Sequence, residues 1–178
     1  MRYSLATVLC FAIPFLLTGC ADDLVRREGL MHYEAAHQAD LQRDYVSARE
    51  QYWKALVDAS QTGAGPAMIS MLEYNYGRTS GYTCHLDDAE KFLLKALDRE
   101  NMVSGPDSRV STMRLFELAR LYYDTGRYQK ASDYYAKAIP ASEKYGLAES
   151  DPIVLADILT EYADSLQKSA ATDEVAKT

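Results

Sequence analysis

The chain has 178 residues, 48% of them apolar and 25% charged, with 9 glycines and 5 prolines. This is the composition of an ordered globular domain with a sizeable core, and it excludes a disordered chain, a collagen and a disulfide-built miniprotein. With 26 acids against 19 bases and a net charge of −7, it argues against non-specific attraction to nucleic acid or to an anionic lipid surface. Fourteen tyrosines accompany a single tryptophan, an unusual ratio that requires a structural explanation.

At the N-terminus Arg2 is followed by an apolar run from Leu5 to Leu17, interrupted by Pro14 and a few small polar residues. That order predicts a secretory leader, too short to span a membrane comfortably. The run closes on Leu17-Thr18-Gly19-Cys20, which resembles the lipobox of bacterial lipoproteins. In those proteins the cysteine thiol is diacylated and the chain is cut before it. The resemblance implies a signal peptide over 1–19 and a lipidated N-terminus over 20–27 that leads into the first helix. Ala21 follows the cysteine and Asp22 comes one later. An aspartate directly after the cysteine commonly retains such proteins at the inner membrane, so the resemblance implies the outer membrane, on its periplasmic face. Acyl chains contribute about 0.8 kcal/mol per buried methylene and need no transmembrane helix. With Cys10 lost in the leader and Cys20 lipidated, Cys84 is the remaining thiol. It reads as a buried, inert cysteine or as one half of an intermolecular disulfide.

Beyond the leader the chain repeats itself. Tyr52-Trp53-Lys54-Ala55-Leu56, Phe92-Leu93-Leu94-Lys95-Ala96-Leu97 and Tyr134-Tyr135-Ala136-Lys137-Ala138-Ile139 share Lys-Ala-(Leu/Ile) in one register after the anchor alanines Ala48, Ala89 and Ala131, which are 41 and 42 residues apart. Twelve residues before each anchor stands a small residue, Ala36, Gly77 or Ala119. Gly65-Pro66, Gly105-Pro106 and Asp151-Pro152 punctuate the same period, since proline suits the first helical turn and disfavours a helical residue before it. Apolar residues recur at i, i+3, i+4 and i+7, and no stretch alternates as a strand would. These signals predict helices over 22–42, 45–60, 66–81, 86–103, 106–125 and 128–144, paired as three hairpins. A seventh, capped by Asp151, is predicted to run to about 168. Its pattern sets Ile158, Leu159, Tyr162 and Leu166 on one side and Asp157, Glu161, Asp164 and Lys168 on the other, as a lid with a polar back would.

The pattern resembles the tetratricopeptide repeat, in the 42-residue length of kinesin light chains. Leu115, Leu118, Ala119, Tyr122, Gly126, Tyr128, Ala131, Tyr135 and Ala138 of the third hairpin stand where that family keeps such residues. The second hairpin departs from it with Ser80 and with Cys84 in the place of Gly126. The first is degenerate and has Arg43 at its turn. The resemblance implies an all-α solenoid of three hairpins and a C-terminal capping helix over 28–169, with a solvated tail over 170–178.

Little in the chain invites catalysis. His32 and His37 are five apart, which is not the spacing of a helical zinc pair, and Cys84 and His85 are adjacent, so their side chains diverge. No phosphate loop is present, and the residues call for no metal or cofactor. In the resembled family, however, the first helix of each hairpin lines a concave surface. Positions eleven, fifteen and eighteen before the anchor point inward there. They give an aromatic row of Tyr33, Tyr74 and Phe116, an apolar row of Leu30, Met71 and Met113, and a basic row of His37, Arg78 and Arg120. Asn75 adjoins them where the 42-residue subtype uses asparagine to hold a peptide backbone. Offsets of three and four put the rows on one helical face.

The resemblance thus implies a non-catalytic scaffold that holds a protein or peptide partner with apolar anchors and an acidic group. An alternative for the same residues is packing between neighbouring hairpins, with the arginines paired to Glu73 and Glu117. At the level of function the alternatives are a pilotin-like assembly factor for a secretin or type IV pilus system, and a metal-dependent envelope enzyme or sensor built on Cys84, His85 and a helix histidine.

Overall fold

The computed structural model describes the backbone of residues 6–175 and the side chains of residues 23–171. The signal peptide over 1–19, the lipidation site Cys20 and the end of the tail therefore lie outside the described side chains. Among the described residues there are eight helices and no strand, and the all-α fold class follows. The chain divides after Gly65 into two compact units.

The first unit holds α1 (Ala6–Leu41) and α2 (Tyr45–Gln61). α1 starts sixteen residues earlier than the pattern predicts, because its backbone stays helical back to Ala6. Ala36, Ala48, Tyr52, Ala55 and Leu56 form the buried seam of this hairpin. Its turn closes through Asp44 N–H donating to Ala39 O at 2.9 Å, with Arg43 in the left-handed conformation at φ 60°. The Asp44 carboxylate then accepts from the Ser47 N–H at 3.1 Å and caps α2.

The second unit contains α3 (Pro66–Tyr82), α4 (Leu86–Ser104), α5 (Arg109–Asp124), α6 (Tyr128–Glu143), the short α7 (Leu147–Ser150) and α8 (Pro152–Val175). α3 pairs with α4 and α5 with α6; α4 packs on α5, and α8 on α6 and α5. Their core comprises Ala89, Leu93, Leu97, Leu118, Ala119, Leu121, Tyr122, Ala131, Tyr135 and Ile158. The small residue twelve before the anchor lets the two helices of a hairpin touch. A Cβ on Gly77 would stand 2.9 Å from the Leu93 backbone nitrogen and 3.3 Å from the Ala89 carbonyl oxygen. Both hairpin turns repeat the one in the first unit. His85 N–H donates to Ser80 O at 2.9 Å and Arg127 N–H to Tyr122 O at 2.8 Å, with Cys84 at φ 61° and Gly126 at φ 73°. This places a left-handed residue just past the helix end, where glycine fits without strain. Cys84 is accordingly exposed, which corrects the reading of it as a buried thiol: the turn sets its backbone angle at the surface and leaves its side chain open to solvent.

Three further boundaries differ from the sequence pattern. Pro66 and Pro152 open α3 and α8, but Pro106 sits in the turn before α5, which begins at Arg109 behind a Ser108 cap that accepts from the Ser111 N–H at 3.1 Å. The stretch between α6 and α8, which has no apolar period, folds into α7 after Gly146 at φ 64°. α8 continues to Val175, into the segment read as a tail.

The orientation of α8 also departs from a lid with a polar back. Ile158 is buried on the core, but Glu161 and Asp164 turn inward as well. Arg120 reaches Glu161 at 3.5 Å, the Tyr135 hydroxyl donates to the same carboxylate, and the Tyr123 hydroxyl donates to Asp164 at 2.6 Å. These polar contacts rotate Leu159 and Leu166 to the exposed side.

A groove on the third hairpin as candidate functional site

A groove of about 430 Å³ opens between α5, α6 and the 145–158 segment, with Tyr74 of α3 at its edge. Met113, Phe116, Leu147, Val154 and Ile158 supply its apolar surface, and Arg109, Glu117, Arg120 and Tyr145 its polar groups. Helical spacing accounts for the α5 contribution: Arg109, Met113, Phe116 and Arg120 follow one another at three or four residues and share a face. Met113 is 54% exposed, although a long apolar side chain gains by burial.

Two polar groups of the groove have no protein partner among the described residues. Arg109 is exposed, with no ion pair or hydrogen bond among the described residues, and the Tyr145 hydroxyl is buried without a hydrogen-bond partner. Leaving a buried hydroxyl unsatisfied costs about 1–3 kcal/mol, so an incoming acceptor at that point would be favoured.

The remaining charges are already used within the protein. Burial pushes the Glu117 carboxyl up, while Arg78, Arg120 and a hydrogen bond from Tyr74 favour its ionised form. Burial likewise opposes the charge on Arg120, and Glu161 restores it. Arg78 and Arg120 meet again in a second depression of about 340 Å³ lined by Gly77, Tyr82, Cys84, Glu117 and Asp124, where Arg78 lies 5.6 Å above the Tyr82 ring. The basic row is thereby engaged across successive first helices. Arg78 acts on Glu117 and Arg120 on Glu161, as the packing alternative anticipates for Glu117. Glu73 is held instead by Arg99, at 2.9 and 3.1 Å.

Of the residues singled out in the sequence, Tyr74, Met113, Phe116 and Arg120 share the groove, and Arg78 joins Arg120 in the neighbouring depression. Met71 and Asn75 line neither; both are half-buried on α3, and the Asn75 carbonyl accepts from the Thr79 hydroxyl at 2.7 Å. Leu30, Tyr33 and His37 lie on α1 in the first unit, where the Tyr33 ring stacks on His37 at 6.2 Å and faces Tyr52 at 6.3 Å. The histidines have local partners: His32 Nδ1 lies 2.8 Å from Gln51 Oε1 and His85 Nδ1 lies 3.1 Å from Thr83 Oγ1. No group of three or more metal-ligating side chains occurs among the described residues. Nor is any described helix long and apolar enough to cross a membrane.

Sequence reasoning missed Arg109, Tyr145, Leu147 and Val154, and a buried ionic cluster behind the groove. Arg114, only 5% exposed, donates to Glu100 and to the Ser70 hydroxyl at 3.1 Å each and stands 4.7 Å over the Tyr74 ring. Glu100 also accepts from Ser70 at 3.0 Å and Ser104 at 2.7 Å. These bonds and the Arg114 charge outweigh burial and keep its carboxyl below the ordinary range. A signal for Arg114 existed, since it stands four and seven residues before Leu118 and Leu121 on the buried face of α5.

Comparison with known proteins agrees with this architecture. A tetratricopeptide repeat family model matches residues 68–144, the second and third hairpins. Among solved structures, BtubC (BKLC) from P. vanneervenii superposes with a TM-score of 0.69 at 20% identity, covering 84% of this chain and 61% of that one. No curated protein matches the sequence. The chain therefore spans 61% of the length of that solved structure, shares its fold, and carries the tetratricopeptide repeat pattern over residues 68–144.

Proposed function

We propose that this chain is a non-catalytic scaffold, anchored through a lipid on Cys20 at the periplasmic face of the outer membrane, that holds a partner protein or peptide in the groove on its third hairpin. The Leu17-Thr18-Gly19-Cys20 sequence supports the anchor. The observation that carries the binding reading is the exposed apolar surface of Met113 and Val154 beside two unused polar groups, the Arg109 guanidinium and the Tyr145 hydroxyl. A partner segment with an apolar side chain next to a carboxylate satisfies all four: the side chain covers the apolar surface and the carboxylate accepts from arginine and phenol. The 41- and 42-residue spacing of Ala48, Ala89 and Ala131 supports assignment to the 42-residue repeat subtype.

The test is crosslinking in cells followed by mass spectrometry, comparing the wild type with an Arg109→Ala/Met113→Ala/Val154→Ala variant whose melting temperature is unchanged. Partner recovery is expected to fall about tenfold, the equivalent of about 1.4 kcal/mol. An unchanged partner list would remove the groove from the function. For the anchor, Cys20→Ala is expected to release the protein from the membrane fraction, and unchanged fractionation would refute lipidation.

A further inference from the structure

Within the first unit α1 packs on α2, and one polar contact between them is incomplete. The Asp58 side chain, in the last turn of α2, is seated against Gly29 of α1, where an added Cβ would stand 3.1 Å from the Asp58 Cβ. Its Oδ2 is buried and accepts no hydrogen bond among the described residues. The group facing it is His32 of α1, whose Nε2 lies 3.9 Å away. The other ring nitrogen, Nδ1, lies 2.8 Å from Gln51 Oε1 on α2.

An amide oxygen only accepts, so Nδ1 carries the hydrogen of the bond to Gln51, and in the neutral ring Nε2 is left with a lone pair. Two acceptors then face each other across 3.9 Å, and neither satisfies the other. A water bonded to both would need about 4.6 Å between them, since each bond spans about 2.8 Å. A proton on Nε2 supplies the missing donor, sets a positive charge against the carboxylate, and lies favourably at the C-terminal end of α2. No other charge near the ring replaces that donor. Lys54 shares the side of α2 that carries Gln51 and Asp58 but is turned to Glu50 at 2.7 Å. On α1, Glu28 stands one turn before His32 and is exposed, adding negative charge, and His37 is stacked on Tyr33.

We propose that His32 and Asp58 form a proton-operated latch between α1 and α2. Imidazole is the side chain whose charge ordinarily changes between pH 5 and 8, so the latch closes in mild acid and opens in mild base. Linkage gives the sign: a proton bound on closing stabilises the closed hairpin at the acid end, and that gain is lost as pH rises. Closing brings Nε2 and Oδ2 about 1 Å nearer, to hydrogen-bonding distance. The element it holds is α1, which carries Leu30, Tyr33 and His37 beside the latch. Mild acid thus fixes that row more firmly on the first hairpin, independently of the groove on the third.

The experiment is amide hydrogen exchange read by mass spectrometry on the full-length chain in detergent, between pH 5.5 and 8, with each rate corrected for the pH dependence of intrinsic exchange. Protection over 22–61 is expected to rise about tenfold toward pH 5.5, the effect of one charge-assisted hydrogen bond. His32→Gln should remove the rise, and His37→Gln should leave it unchanged. Asp58→Asn should reverse it, because the amide NH2 donates to the neutral ring and meets a second donor once the ring is protonated. A merely structural contact would not change sign. Three results would overturn the proposal: protection of the wild-type hairpin that does not change with pH, a rise that persists in His32→Gln, or a rise in the same direction in Asp58→Asn. Loss of the rise in His37→Gln would assign the proton to the other histidine and overturn it too. Should Asp58→Asn fail to fold, the two histidine variants decide.

Discussion

α5 and α8 are the first helices of successive repeats and carry one apolar pattern, yet they meet opposite surroundings. Leu118, Ala119 and Tyr122 of α5 lie in the core under α6, while their counterparts on α8 stand at the surface, Ala163 and Leu166 exposed and Tyr162 half-buried. On the side toward the preceding hairpin, α5 inserts Arg114 among Ser70, Glu100 and Tyr74, whereas α8 inserts Ile158. Periodicity therefore decides which residues share a face, and the neighbouring element decides whether that face is core, ionic joint or open surface.

Breaking the ionic joint should have the largest effect. Arg114→Leu leaves Glu100 buried without its counter-charge, and thermal or urea unfolding should register a loss of about 3–5 kcal/mol. Arg120→Ala, at a guanidinium 42% exposed, should cost no more than about 1 kcal/mol. If the two cost the same, the difference between joint and surface is refuted.

The packed and open faces are separated by one pair of substitutions. Ala119→Leu overfills the α5–α6 contact and should cost up to about 3 kcal/mol. Ala163→Leu on α8 should change stability by less than about 0.5 kcal/mol, as surface substitutions do.

Acid sharpens the comparison further. Tyr122 of α5 donates to Glu90 at 2.7 Å, and Arg127 and Lys130 pair with the same carboxylate, whereas Leu166 on α8 has no such partner. Burial pushes Glu90 up, but the bonds from Arg127, Tyr122 and Lys130 overcome it and hold the carboxyl at about 2, below its ordinary 4.5. A carboxyl depressed in the folded state contributes its full stability above pH 4.5 and loses it as pH falls towards 2. Glu90→Gln should flatten the stability profile in that window and lower stability at neutral pH by about 2 kcal/mol. An unchanged acid limb would show that the carboxylate is not clamped.

The smallest effects belong to the turns. Cys84 has the left-handed backbone that Gly126 has in the next hairpin. Cys84→Gly should raise stability by up to about 1 kcal/mol and Gly126→Ala lower it by about 1–2 kcal/mol. A destabilised Cys84→Gly variant would mean that the thiol makes a contact that outweighs its strain.

Much of this was legible in the residues. Asp44, Pro66, Gly126 and Asp151 mark helix ends because their effects are local: a cap, a fixed φ, a tolerated positive φ. Met113, Phe116 and Arg120 were legible as one surface because helical spacing puts them in line, and Tyr74 joined them because it stands 42 residues, one repeat, before Phe116. Arg109, Tyr145, Leu147 and Val154 were not. The 145–151 stretch has no period of its own, and its α7 turn packs against the helices on either side of it in the chain, α6 and α8. Cys84 was misread because a thiol's usual preference for burial gave way to the backbone demand of its turn.

The sequence by itself determined the helices, their pairing within hairpins and the small residues where those hairpins close, because caps, prolines and apolar period act over a few residues. Only the tertiary structure decided how the charges are used. The arginines of the basic row answer to Glu117 and Glu161, Arg114 to Glu100, and the acids of α8 turn inward while its leucines face out. Charge pairing depends on distance in space, falls off steeply with it and follows desolvation by neighbours from other repeats. No local pattern along the chain encodes those distances.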